Sequence, residues 1–198
     1  YHAFSTALLW DIYCETGDGF IYKRFIKAAK YLNYMVLDSG EFNYVGRGQF
    51  QTFGYGPAIY SLIAIYSINK SPTYLKSIIN IIRNLKEKQS SSGSFPLVVN
   101  GKDVKEYSSN DSDCFGWYPY NNYMDYLAFL NFYIVRAYKL FNNISDFEGG
   151  CKENSDLSNR NMRIIKRKEY QAVISAPYGY WTNGLPIPYV EVNGKNIT

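Results

Sequence analysis

Two stretches and one side chain hold the groups best suited to carboxylate and proton chemistry. The first is "NYVGRGQFQTFGYG", residues 43–56, with four glycines and four aromatic rings. Arg47 offers a planar fork that matches a carboxylate. Gln49 and Gln51 can donate to carboxylate or hydroxyl groups. Tyr44 brings a phenol, and the glycines let a ligand approach the backbone closely. A loop of this kind feeding a helix start also favours anions, because free backbone N–H groups point at it. The structural alternative has the glycines making tight turns while Arg47 caps nearby carbonyls. The second stretch is "CFGWYPYNNYMDY", residues 114–126. Trp117, Tyr118 and Tyr120 offer faces and hydroxyls for a sugar ring, and Asn122 can bind a carboxylate. Its alternative is a buried aromatic corner held by Pro119. His2, the single histidine, could act as general base or as a carboxylate neutraliser, or be incidental.

Other chemistries are excluded by spacing. Residues 43–56 contain no G-x-x-x-x-G-K-[ST], and no strand precedes them as a dinucleotide turn requires. Asp111, Asp113 and Gly116 echo a calcium loop, but Phe115 and Asn122 stand where ligands are needed, so no metal is expected. Neither a Ser-His-Asp pattern nor G-x-S-x-G occurs. Cys14, Cys114 and Cys151 form no CxxC pair, which argues against a disulfide scaffold or zinc site.

The elements that must position these groups follow from periodicity. Residues 3–15 read as a mostly apolar helix. Residues 19–36 read as an amphipathic one, with Ile21, Phe25, Ala28, Ala29, Leu32 and Met35 on one face. Pro57 is expected to open a helix over about 57–68 that is apolar on nearly every face. Residues 72–88 form another amphipathic helix, whose stripe is read as Leu75, Ile78, Ile79, Ile82 and Leu85. "FPLVVNGKDVKEY" suggests a hairpin turning at Asn100-Gly101. An aromatic-rich helix spans roughly 121–141. This alternation of buried and striped helices fits a two-layer ring of helical hairpins, with inner helices shielded by outer ones. After residue 150 β-branched residues and turn signals replace the helical period. The expected fold is therefore mainly α, with two units. Residues 1–150 form an incomplete (α/α) toroid, and residues 151–198 a linker and the opening strands of an antiparallel β-sheet domain. Both units read as cut at the chain ends.

Composition is that of an ordered protein: 46% hydrophobic and 18% aromatic, with 21 tyrosines. A net charge of +4 is scattered over helix faces, which favours an acidic ligand over nucleic acid. No apolar run reaches the roughly eighteen residues needed to span a membrane.

The helical alternation, the loop at 43–56, the "GWYPYNNYMDY" stretch and the strand-rich ending together resemble the polysaccharide lyases that join an (α/α) toroid to a β-sandwich, the heparinase II/III-like and alginate-lyase-like group. The resemblance implies cleavage of an acidic, uronate-containing polysaccharide by β-elimination. It also implies no obligatory cofactor and a periplasmic or secreted location. On that likeness Arg47, Gln51 and Asn122 would neutralise the uronate carboxylate. Tyr44 or Tyr118 would be acid/base, and His2 a base or second neutraliser. Gln49, Trp117 and Tyr120 would line the substrate site. Members usually carry more than one active-site histidine, whereas this chain has one. Two alternatives stand beside this reading. One is a glycoside hydrolase on the same scaffold, using Asp113 or Asp125. The other is a non-catalytic glycan-binding or capsule-handling protein.

The readings separate by substitution. For a lyase, Tyr44→Phe is expected to remove the ultraviolet absorbance of unsaturated uronate products, while Asp125→Asn leaves it. Reducing ends formed without that absorbance, and lost on Asp125→Asn, mark the hydrolase instead.

Overall fold

The computed structural model describes residues 1–42, 51–91, 93, 95–97, 99, 123–144, 155–158, 162–167, 169–175, 189–193 and 195–196. Within them the protein is mainly helical with a small antiparallel sheet. The helices are α1 (His2–Thr16), α2 (Gly19–Met35), α3 (Tyr55–Asn69), α4 (Pro72–Lys88) and α5 (Tyr123–Asn142). Five strands follow: β1 (Ser155–Ser158), β2 (Met162–Lys166), β3 (Tyr170–Ser175), β4 (Tyr189–Val192) and β5 (Lys195–Asn196), paired in sequence order as an antiparallel meander. None of the described helices is long and apolar enough to cross a membrane.

Local signals set the helix ends. Gly17 closes α1 in the left-handed region at φ 68°, and the Asp18 side chain caps α2 by accepting from the Phe20 N–H at 2.7 Å. Pro72 opens α4 as expected. Pro57 does not open α3, which begins two residues earlier, after a 3₁₀ turn over Thr52–Gly54. The ring is tolerated because the first four N–H groups of a helix have no intrahelical acceptor to lose.

Helix α3 organises the packing. Every residue from Tyr55 to Tyr66 is buried, so this helix is covered all round, as its apolar sequence requires. Its two flanking partners run parallel to it. Along α3 and α5, Phe53 meets Tyr126, Tyr60 meets Tyr133, and Arg136 lies beyond. Along α1, Tyr1 lies near Phe53 and Asp11 near Tyr60. Helix α2 returns antiparallel to α1, with His2 against Tyr31 at one end and Tyr13 against Tyr22 at the other. The two-residue connection Lys70–Ser71 folds α4 back along α3. Three parallel helices therefore form one layer, and α2 and α4 lie behind it with charged outer faces.

Two expectations need correction. Helices α1 and α5 are not covered on every side: Leu8, Ile12, Phe132, Val135 and Tyr138 are exposed. Each lies at an edge of the layer, with α3 on one flank only. On α4 the buried stripe is Tyr74, Ile78, Ile81 and Leu85, whereas Ile79 and Ile82 are 45% and 48% exposed. Ile78-Ile79 and Ile81-Ile82 are adjacent pairs, so the pattern alone could not choose the face. The turn at residues 37–41 packs beside this stripe, against Asn80 and Asn84, which are buried too.

Two glycines allow close approaches. Gly40, at φ 84°, sits so near α4 that a Cβ there would lie 2.1 Å from the Asn80 carbonyl oxygen. Gly56 lets α3 meet α5: an added Cβ would lie 2.7 Å from the Leu130 carbonyl oxygen and 3.0 Å from Tyr133 Cβ. Gly56→Ala is therefore expected to destabilise the fold by about 1–3 kcal/mol. Gly19→Ala, where nothing lies within 4 Å, should cost nothing. Urea unfolding of the two variants checks both.

Candidate functional site

Because α1, α3 and α5 are parallel, their N-termini share one end of the helical layer, and α2 ends there too. Phe42 and Gln51 flank one candidate stretch at this end. The Phe42 N–H donates to the Tyr55 hydroxyl at 3.3 Å, and the two rings meet edge-on at 5.1 Å. Gln51 is half-buried and precedes the 3₁₀ turn that leads into α3. The segment at Pro96–Leu97 is anchored to the same turn. Thr52 donates its N–H to the Leu97 carbonyl at 2.9 Å. Its hydroxyl reaches the Pro96 carbonyl and the Leu97 carbonyl, the latter at 3.0 Å. Phe53 then carries the contact into α5, with its ring 5.0 Å from Tyr126 and 6.1 Å from Phe129.

Of the candidate side chains, His2 and Gln51 fall within the described residues. Tyr44, Arg47 and Gln49 lie outside them, in residues 43–50. Trp117, Tyr118, Tyr120 and Asn122 lie outside them as well, as do Cys114, Cys151 and the Asn100-Gly101 turn. His2 sits at the first turn of α1, its ring edge-on to Tyr31 at 5.1 Å. Its Nε2 is 3.1 Å from the Ala28 carbonyl oxygen. A carbonyl only accepts, so Nε2 carries the proton and Nδ1 is left as the basic nitrogen of the neutral ring. Burial pushes the His2 pKa down, opposed by the Ala28 hydrogen bond. Both effects are physical: burial penalises the cation, and the carbonyl favours it. The net direction suits a neutral base better than a cationic neutraliser.

A second polar cluster cross-links all three parallel helices. Arg136 forks onto Asp11, with Nη1 to Oδ2 at 2.8 Å and Nη2 to Oδ1 at 2.6 Å. The Tyr60 hydroxyl donates to Asp11 Oδ1 at 2.7 Å and accepts from Arg136 Nη2 at 3.0 Å. The guanidinium also lies 4.5 Å from the Tyr60 ring centroid, a cation–π arrangement. Burial, then the hydrogen bond to Asp11, pushes the Tyr60 phenol far above its ordinary range. Tyr60 is thus held protonated, as a donor. Sequence reading missed this triangle, although a signal existed. Asp11 stands alone in an apolar helical run, and Arg136 is the first cation of α5. Isolated charges in such helices need partners.

The half-buried rings of Phe53 and Tyr126 add an aromatic surface at the N-terminal end that was not singled out beforehand. Among the described residues no group of three His, Cys, Asp or Glu side chains is placed to hold a metal ion. Comparison with family models, with curated proteins and with solved structures gives no match for this chain.

The Tyr60 environment has a pH consequence. Its phenol ionises at higher pH in the folded chain than in the unfolded one, so the folded state keeps a proton that the unfolded state releases. That contribution is intact below about pH 10 and is lost as pH rises further. Tyr74 and Tyr133, raised by burial, act in the same sense. Tyr60→Phe is expected to flatten the alkaline fall in unfolding free energy above about pH 10 and to leave the profile below it unchanged in shape, measured by urea titration at each pH.

Proposed function

We propose that this chain is part of a carbohydrate-active protein that cleaves an acidic, uronate-containing polysaccharide by β-elimination. Its helical layer would be a segment of an (α/α) toroid, and its sheet the beginning of a β-sandwich, as in the heparinase II/III-like and alginate-lyase-like group. One observation carries the reading: the described residues on both sides of the first candidate stretch, and the helix start that ends the second, meet at the common N-terminal end of three parallel helices. Phe42 and Gln51 bracket Tyr44, Arg47 and Gln49. Helix α5 begins at Tyr123, directly after Trp117, Tyr118, Tyr120 and Asn122 in sequence, and its Tyr126 ring meets Phe53. That convergence supports one shared site built from two segments far apart in sequence.

The chemistry follows from residue types. Arg47, with Gln51 and Asn122, would neutralise the uronate carboxylate and so acidify the C5 proton. A base, Tyr44 or the Nδ1 of His2, removes it. A phenol serves as base near neutrality only beside a positive charge, which Arg47 would supply to Tyr44. The electrons form the C4–C5 double bond as the O4 linkage breaks, and Tyr118 protonates the departing oxygen. Gln49, Trp117, Tyr120 and the rings of Phe53 and Tyr126 would hold neighbouring sugars by stacking and hydrogen bonds.

Incubation with a panel of uronate polymers tests the reading. Ultraviolet absorbance from unsaturated products supports it, and Arg47→Ala should lower kcat/KM by about a hundredfold, as for loss of a preorganised charge-stabilising donor. Reducing ends without absorbance turn the assignment to a hydrolase. Retention of intact polymer turns it to a glycan binder.

A further inference from the structure

Among the described residues, Lys166 makes a charged contact between the sheet and the helices. Lys166, the last residue of β2, donates from Nζ to the carbonyl of Asn33 at 3.4 Å and to the carbonyl of Val36. These carbonyls belong to the C-terminal turn and cap of α2. The last carbonyls of a helix lack intrahelical donors and carry partial negative charge. An ammonium with three donors satisfies both needs at once.

The surroundings make this contact decisive for docking. Cα register pairs Lys166 with Gln171 and Ile164 with Val173, which places all four on one face of the sheet. Ile164 and Val173 are fully buried in the same cluster as Leu32, Met35 and Val36. Gln171 is 1% exposed, and its amide has no hydrogen-bond partner among the described residues. The sheet face beside half-buried Lys166 is therefore shielded from solvent at Ile164, Gln171 and Val173. Apolar contact is non-directional and would let the sheet slide, whereas a cation on a helix terminus has a fixed target. Helix α2 ends where α1, α3 and α5 begin, so this joint lies at the same end as the candidate site.

We propose that Lys166 is a positioning residue that holds the sheet against the end of the helical layer and so sets the spacing between them. Its effect on substrate rests on the lyase reading; its effect on docking does not.

The test compares Lys166→Met, which keeps the apolar stem but removes the charge, with Lys166→Arg, which keeps a cation. Amide hydrogen exchange in β2, β3 and the last turn of α2 should quicken about tenfold in Lys166→Met, the equivalent of one charged hydrogen bond. Exchange in α3 should stay unchanged, and Lys166→Arg should restore protection. Unchanged exchange at the joint, equal quickening in α3, or failure of Lys166→Arg to restore protection each overturns the proposal. Where a polymer is cleaved, KM should rise severalfold with kcat retained, and an equal fall in kcat alone overturns the positioning role. Where none is cleaved, the lyase reading falls, and the exchange experiment still decides the role of Lys166.

Discussion

A helix with no polar face can persist in water only when it is wrapped on all sides, and α3 is such a helix. From Tyr55 to Tyr66 every residue is buried, and the rest of the helical layer is arranged to make that so. Helices α1 and α5 flank it in parallel, while α2 and α4 close the back. Close wrapping demands close backbones, which is why the α3–α5 contact is built on Gly56. The same demand explains why α1 and α5, each with α3 on one flank, leave Leu8, Ile12, Phe132 and Val135 exposed.

Parallel packing has a geometric by-product. Three helix starts, with their positive dipole ends, are brought to one end of the layer. The end of α2 arrives there as well, its carbonyls answered by Lys166 from the sheet. Positive helix ends thus lie beside Phe42, Gln51 and Tyr126, the described residues in or next to the two polar, aromatic segments. The fold itself does not choose among lyase, hydrolase and binder, since a scaffold of this kind can host each.

Much of the helical organisation was legible because it depends on period and punctuation. The stripe of Phe25, Ala29, Leu32 and Met35, the all-round apolar character of α3 and the break at "NKSPT" all speak locally. What failed depended on contacts distant in sequence. The buried face of α4 was misread because Ile78-Ile79 and Ile81-Ile82 offer two equivalent stripes, and the turn at Gly40 packs beside one. The start of α3 was misplaced because Pro57 fits any position of a first turn. The triangle of Asp11, Tyr60 and Arg136 was invisible as a unit because its members come from three helices. Of the candidate site, His2 and Gln51 lie among the described residues; the Ala28 carbonyl that fixes the His2 tautomer is 26 residues away in sequence, so no local pattern pointed to it.

The triangle also constrains how this chain can vary. Each vertex satisfies the other two, so losing one leaves a partly buried charge or hydroxyl without its partner. Replacing all three by apolar side chains of similar volume removes that penalty altogether. Between these two solutions the intermediates are poor, so the positions behave as one heritable character. Relatives of this chain should carry Asp, Tyr and Arg together or none of them, and a lineage crossing from one state to the other has to pass through a valley.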